Sequence, residues 1–311
     1  MKQEKNTEAA FNAKTGKGSC LSLSAEVRDK AKGALWGLIV GDCLGSPIQF
    51  SEMDDHPYIT EMVECPVFGL PPGYWTDDGL MAMCIMDSYV RKGKYALKDI
   101  GDTFVKWFMD GHLSSKDGES FDVGGATWNA CQNIALRHKY VNGREDSQGN
   151  GSIMRFAPAY LLAQKESDPA KVMHEISDLT HNSNRVREVV DRFAKVLDEH
   201  MAGIRTDEIS PYKTREDVNN SGWAVSTLDA ALWAFNTTES FEEGLIAAVN
   251  LGGDSDSIGA VFGQIADAYY GFDSIPERWV KAVKVWREVD CMIDRFLNAV
   301  YGDDLECAVI E

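Results

Sequence analysis

The chain contains no Cys-x-x-Cys pair, although it has seven cysteines: Cys20, Cys43, Cys65, Cys84, Cys131, Cys291 and Cys307. Their odd number and scattered spacing along 311 residues argue against a zinc ribbon or a disulfide scaffold, and point to a reducing cytoplasm. Cys84 stands in an apolar run and reads as core packing. Long hydrophobic runs are also missing. The longest candidate, residues 33–45, is interrupted by Asp42 and is too short to span a membrane. The amino-terminal stretch Met1–Lys5 leads into polar sequence with no hydrophobic signal region. Basic charge is scarce, with 31 Lys and Arg against 49 Asp and Glu, a formal net charge of −18. That balance argues against general nucleic-acid binding and against anionic membrane surfaces. Alternating, strand-like runs do not occur, and no short internal repeat suggests a solenoid.

What is present is helical texture. The composition, 44% hydrophobic and 26% charged, suffices for a large core. Residues 1–23 are polar and without periodicity, and read as a flexible arm ahead of a domain over 24–311. From Ser24, Val27, Ala31, Leu35 and Leu38 form one helical stripe. Gly33, Gly37, Gly41 and Gly45 fall four apart, which in a helix makes a smooth strip for a second backbone. The later members fall within this helix or just beyond its end. Four glycines cost helix stability, about 1 kcal/mol each against Ala, so packing or function must compensate. Leu80–Val90, Asn184–Met201, Trp223–Phe235 and Ile258–Ala268 read as further helices, and Ser240 with Glu243 as a capping box. Trp279 through Val300 reads as one long terminal helix, while residues 111–125 and 141–152 read as loops. The expected fold is all-α: a single compact multi-helix domain with its chemistry on the loops.

Two acidic clusters stand out, Trp75-Thr76-Asp77-Asp78-Gly79 and Leu251-Gly252-Gly253-Asp254-Ser255-Asp256-Ser257. Each offers two carboxylates and a hydroxyl ahead of an apolar, helix-like run. Such hard oxygen ligands, if the fold joins them, suit Mg²⁺ or Mn²⁺ rather than zinc. The plain alternative is that Thr76, Asp77 or Asp78, and Asp254 or Asp256, cap the helices that follow. One cap needs one oxygen, however, and the surplus acids would repel each other without a cation.

Five segments in order resemble the ADP-ribosylglycohydrolase family: residues 41–47, Trp75-Thr76-Asp77-Asp78, residues 150–158 from Asn150 to Pro158, Thr180-His181, and residues 252–257. The resemblance implies an all-α fold with a dinuclear site for two Mg²⁺ or Mn²⁺ ions. By position, Thr76, Asp77, Asp78, Asp254, Asp256 and Ser257 would be the metal ligands. It implies hydrolysis of the bond between ADP-ribose and a modified acceptor, with Asp77, Asp78 and Asp256 in the catalytic centre. Asp122 resembles the family's loop aspartate near the scissile ribose, although an Asp before glycines is equally a turn residue. Asn150, Gly151, Ser152, Met154, Arg155 and His181 would line the ligand. Backbone N–H groups of Asn150-Gly151-Ser152 suit a diphosphate if a helix start follows, Arg155 is either a phosphate partner or a structural ion pair, and His181 alone reads as a structural hydrogen-bonding residue. Two departures are visible: Gly79 replaces the family's commoner Thr, and Gln49 stands where the family usually has Glu. Gln49 cannot take a proton. Glu52 is its nearest substitute, and Gln49→Glu is expected to raise the rate if a carboxylate is needed there.

The sequence is thus read as a metal-dependent, cytoplasmic, monomeric hydrolase that removes ADP-ribose from modified arginine on protein. Two other classes stand beside this reading. One is a binding protein on the same scaffold, either crystallin-like or an immunity protein that blocks an ADP-ribosylating toxin. The other is a two-metal phosphatase.

Overall fold

Apolar residues recur at helical spacing through most of the chain, and all but one such stretch fold as a single helix. The computed structural model describes residues 24–302, so the arm expected over 1–23 lies outside the described residues. Twelve α-helices follow one another: α1 (Ala25–Gly45), α2 (Asp77–Lys92), α3 (Leu97–Asp110), α4 (Gly125–Arg137), α5 (Phe156–Ala163), α6 (Pro169–Asp178), α7 (Asn184–Met201), α8 (Ala224–Thr237), α9 (Phe241–Val249), α10 (Ser255–Tyr270), α11 (Glu277–Ala282) and α12 (Trp286–Tyr301). Among the described residues there is no β-strand, only the isolated bridges Cys65–Leu70 and Gly149–Trp223. One hydrophobic core runs through the domain and includes Cys84. No helix of the described residues is long and apolar enough to cross a membrane.

The centre of the domain is the pair α1 and α10. All four spaced glycines lie inside α1, and they face the α10 backbone. A β-carbon on Gly37 would stand 2.4 Å from the Gly263 carbonyl oxygen, one on Gly41 2.1 Å from that of Gly259, and one on Gly45 2.3 Å from that of Ser255. The glycines therefore offset their low helix propensity by permitting backbone contact. The consequence is positional. The carboxy-terminal end of α1 touches the first turn of α10, where the second acidic cluster begins. Side chains wholly buried around this pair, among them Trp36, Leu38 and Phe262, each contribute about 1.5–3 kcal/mol of transfer free energy.

Ser240 caps α9 by accepting the Glu243 N–H at 3.3 Å, which is the first half of the expected capping box. The terminal segment departs from expectation. It is not one helix but α11 and α12, broken at Val283–Val285, where Val285 takes a left-handed φ of 46°. The reason is tertiary. Lys284 N–H donates to the Gly73 carbonyl at 2.8 Å, and Lys284 Nζ donates to the Ser115 carbonyl at 2.6 Å. These bonds tie the break to the loops that lead into and brace the first acidic cluster. The stretch 111–125 is also not all loop, because α4 starts at Gly125.

Candidate active site

The α1–α10 contact brings the two acidic clusters to one cleft. A cavity of about 340 Å³ has Asp77, Asp78, Asp254, Asp256 and Ser257 on its wall, with Asp122 and Gln49 beside them. Thr76, a wholly buried member of the first cluster, stands against the second, with its Oγ1 3.4 Å from Asp256 Oδ2.

Capping does not occupy these acids. Thr76 is the N-cap residue of α2 by position, but its side chain makes no cap bond. The cap is supplied by Asp42 from α1. Its carboxylate accepts the Thr76 N–H at 2.9 Å, the Gly79 N–H at 2.8 Å and the Thr76 hydroxyl at 2.9 Å. A buried acid thus satisfies the orphan donors of α2 from another helix, and Asp77 and Asp78 are free to face the cleft. Gly79 fits the same contact, since a β-carbon there would meet Asp42 Oδ2 at 3.0 Å. Asp254, N-cap of α10 by position, likewise makes no side-chain cap bond and instead accepts Asn150 Nδ2–H. Asp256 Oδ1 accepts the Ser257 N–H at 2.9 Å.

The oxygens that remain suit cations. Thr76 Oγ1 has one hydrogen, and it is directed to Asp42. Its distances of 3.4 Å to Asp78 Oδ2 and to Asp256 Oδ2 are then lone pairs facing carboxylates. Asp78 Oδ1 is buried without any hydrogen-bond partner. Burial, and then the neighbouring acids, push Asp77, Asp78 and Asp256 well above the usual carboxylate range, and burial raises Asp254. Burial takes Asp42 up to about 7 despite its three donors. No trio of His, Cys, Asp or Glu side chains stands as a ready-made cation cage among the described residues. The donor set of carboxylates and hydroxyls nonetheless fits a hard divalent ion, whose charge would relieve the repulsion without protonation.

Gln49 is buried and donates its Nε2–H to Asp122 Oδ2 at 3.2 Å. Asp122 adopts a left-handed φ of 53°, and burial raises it to about 6 while the Gln49 bond acts to lower it. Glu52 is exposed and does not reach the cavity wall, so it does not substitute for the family's Glu.

The other residues named from the sequence divide. Asn150, Gly151, Met154 and His181 line the cavity. Ser152 and Arg155 do not. Ser152 is buried behind the wall, and its hydroxyl has no partner. Arg155, 1% exposed, is no phosphate partner: it donates to the Thr180 hydroxyl at 2.7 Å and lies 5.0 Å over the Phe104 ring. It is a buried cation behind the acids, and its charge partly offsets theirs at Asp77. The Asn150–Ser152 turn is a single 3₁₀ turn, and no helix start follows it until α5 at Phe156. Asn150 N–H is already committed to the Gly222 carbonyl at 2.9 Å. Besides the first turns of α2 and α10, the amino end of α4 faces the cavity. Gly124, Gly125, Ala126 and Thr127 line the wall, with no side-chain cap and no acid in the first turn. Uncapped amides there suit an anion. The two glycines in sequence were the available signal.

His181 is held by a relay. Thr180 Oγ1 accepts from Arg155, and among the described residues its own hydrogen has no acceptor other than His181 Nδ1, 2.7 Å away. The ring proton then sits on Nε2. Burial, followed by Arg155, lowers His181 to about 3, so the ring is neutral at pH 7. A β-carbon on Gly151 would meet the ring at 2.6 Å, which accounts for glycine there.

An all-helical domain with an acid-lined cleft is the architecture of a hydrolase family that the sequence comparisons identify. A sequence profile of the ADP-ribosylglycohydrolase family matches residues 23–306, and the chain belongs to that family. It is 33% identical over 288 residues to an ADP-ribosylarginine hydrolase Tri1 of Pseudomonas putida (strain GB-1), covering 85% of this chain and 77% of that protein. It is 29% identical over 299 residues to the ADP-ribosyl-[dinitrogen reductase] glycohydrolase of Rhodospirillum rubrum, covering 87% and 96%. Among solved structures, an ADP-ribosylglycohydrolase-related protein complex superposes with a TM-score of 0.77 at 31% identity, covering 88% of this chain and 99% of that one.

Proposed function

We propose that this chain is a metal-dependent hydrolase that removes ADP-ribose from ADP-ribosylated arginine on protein. The observation that carries the proposal is the union of the two acidic clusters on one wall, with Asp42 taking over the helix cap. Thr76, Asp77, Asp78, Asp254, Asp256 and Ser257 would hold two Mg²⁺ or Mn²⁺ ions. Bound there, such ions would supply Lewis acidity that lowers the pKa of a nearby water. The remaining chemistry belongs to the chain. Amides at the amino end of α4 and the Nε2–H of His181 bind the diphosphate, with Gly151 allowing close approach. Cleavage of the glycosidic bond develops positive charge on the ribose, as in other glycoside cleavages. Asp122, oriented by Gln49, faces that charge or takes the proton of the attacking water. Arginine is the acceptor favoured by the acidic surroundings, which suit a cationic guanidinium, and by similarity to a relative named as an ADP-ribosylarginine hydrolase.

Incubation with arginine-linked and serine-linked ADP-ribose, in Mg²⁺, Mn²⁺ or EDTA, tests the proposal. Release of ADP-ribose from the arginine conjugate with metal, and its loss in EDTA or in Asp77→Asn, is the expected result. Undiminished release in EDTA removes the metal from the reading, and release from serine alone removes the acceptor.

A further inference from the structure

Phe50 is an unusual residue to find at the mouth of this cavity. The residue is 63% exposed, yet it forms part of the cavity wall. Its φ is 66°, in the left-handed region that a bulky side chain enters only at a steric cost. The strain is held in place by the second acidic cluster. Phe50 N–H donates to the Gly253 carbonyl at 2.6 Å, and Gly253 N–H donates to the Ser51 carbonyl at 2.7 Å. The preceding residue, Gln49, is buried and bonded to Asp122. Burial does not account for the ring, because most of it faces solvent, and strain retained by surrounding bonds is typical of functional positions. The clamp ties the Phe50 backbone to the residue before Asp254, and Phe50 lines the same cavity as Asp77, Asp122 and Asp254. An exposed aromatic side chain in a cavity that is also lined by these three carboxylates is chemistry for a planar cation.

Resting on the function proposed above, we infer that Phe50 is the platform on which the acceptor's guanidinium stacks at the acid end of the cavity. It would select arginine-linked ADP-ribose by its acceptor rather than by its nucleotide. The ADP-ribose half is assigned to the α4 amides, Gly151 and His181, and does not depend on the ring.

The test uses the full chain with Mg²⁺ and measures two quantities. One is kcat/KM on ADP-ribosylarginine, and the other is the Kd of free ADP-ribose, which lacks an acceptor. Phe50→Leu and Phe50→Ala are expected to lower kcat/KM about three- to tenfold, the size of a partly desolvated cation–π contact. ADP-ribose affinity should stay within about twofold, and Phe50→Tyr should behave as wild type, since both follow from a ring-face contact to the acceptor alone. Tyr58→Ala, which removes an equally exposed ring that is not on the cavity wall, should leave both quantities unchanged. Wild-type kcat/KM in Phe50→Leu, or a parallel loss of ADP-ribose affinity, overturns the inference while the hydrolase stands. A wild-type enzyme that releases nothing from ADP-ribosylarginine refutes the proposed function, and this inference with it.

Discussion

At the scale of single residues, Gln49 stands where the family resemblance leads one to expect Glu, and its contact with Asp122 argues for the opposite effect of restoring that Glu. A glutamate there would set a carboxylate about where Gln49 Nε2 now donates to Asp122 at 3.2 Å. Two carboxylates at hydrogen-bond distance cannot both ionise, so one retains a proton. Asp122, already raised to about 6, would rise further. A base whose pKa rises is competent only at higher pH. Gln49→Glu is therefore expected to move the acidic limb of the kcat/KM profile upward by about one unit and to lower activity at pH 6 about fivefold. A rate–pH series between pH 5 and 9 checks this, and an increased rate at pH 6 would restore the carboxylate reading. The acids themselves were legible in the sequence, because doubled hard ligands before two helices exceed what caps need. Asp42 was not legible as their organiser. Its partners, Thr76 and Gly79, are 34 and 37 residues away, and nothing local distinguishes it from an acid interrupting an apolar run. The strain at Phe50 was equally hidden, since no aromatic signals a left-handed φ.

At the scale of elements, the glycine strip on α1 sets the site's geometry. Gly41→Ala would place a β-carbon 2.1 Å from the Gly259 carbonyl oxygen, which forces the two backbones apart. Such overpacking costs about 1–3 kcal/mol or more. Separation also withdraws the first turn of α10, with Asp254 and Asp256, from Thr76 and Asp78. Activity of the folded Gly41→Ala variant is thus expected to fall at least tenfold, and Mg²⁺ affinity with it, by analogy with displaced ligand-orienting residues. Urea unfolding and kcat measured side by side check the claim. Ile293→Val in α12, a core trim away from the cleft, should cost about 0.5–1.5 kcal/mol with little change in kcat. The strip was readable because a period of four is a local signal. The break between α11 and α12 was not, because Trp279, Val283, Trp286 and Val289 keep helical spacing across it. The bonds that break the helix, from Lys284 to Gly73 and Ser115, are long-range. The helical start of α4 was hidden for the opposite reason: two glycines mark a turn more strongly than a helix N-terminus.

At the scale of the molecule, the cleft concentrates like charge in a chain whose net charge is already −18. Asp42 at about 7, with Asp77, Asp78 and Asp256 well above their ordinary range, binds protons more tightly in the folded state than in the unfolded chain. For groups raised on folding, the stabilising contribution is complete below the unfolded pKa of about 4 and is lost as pH climbs through the folded values. Metal-free protein is therefore expected to lose stability between pH 6 and pH 8. A divalent cation acts in the opposite direction, since it replaces those protons and binds the folded state alone. Saturation at about 100 times Kd adds roughly 2.7 kcal/mol, which for a chain of this size is about 5 °C in melting temperature. At pH 6 the protons compete, so the gain from Mg²⁺ or Mn²⁺ should be small there and grow steadily toward pH 8. Melting curves in EDTA and in 5 mM metal, at constant ionic strength, separate this from general screening, which would act through the whole surface charge at every pH. Asp77→Asn with Asp256→Asn should raise the metal-free melting temperature at pH 8, because two repelling charges are gone, and should abolish the metal-dependent gain. A gain that persists in the double variant would mean that the cation binds elsewhere on the acidic surface, and that the two clusters meet for another reason.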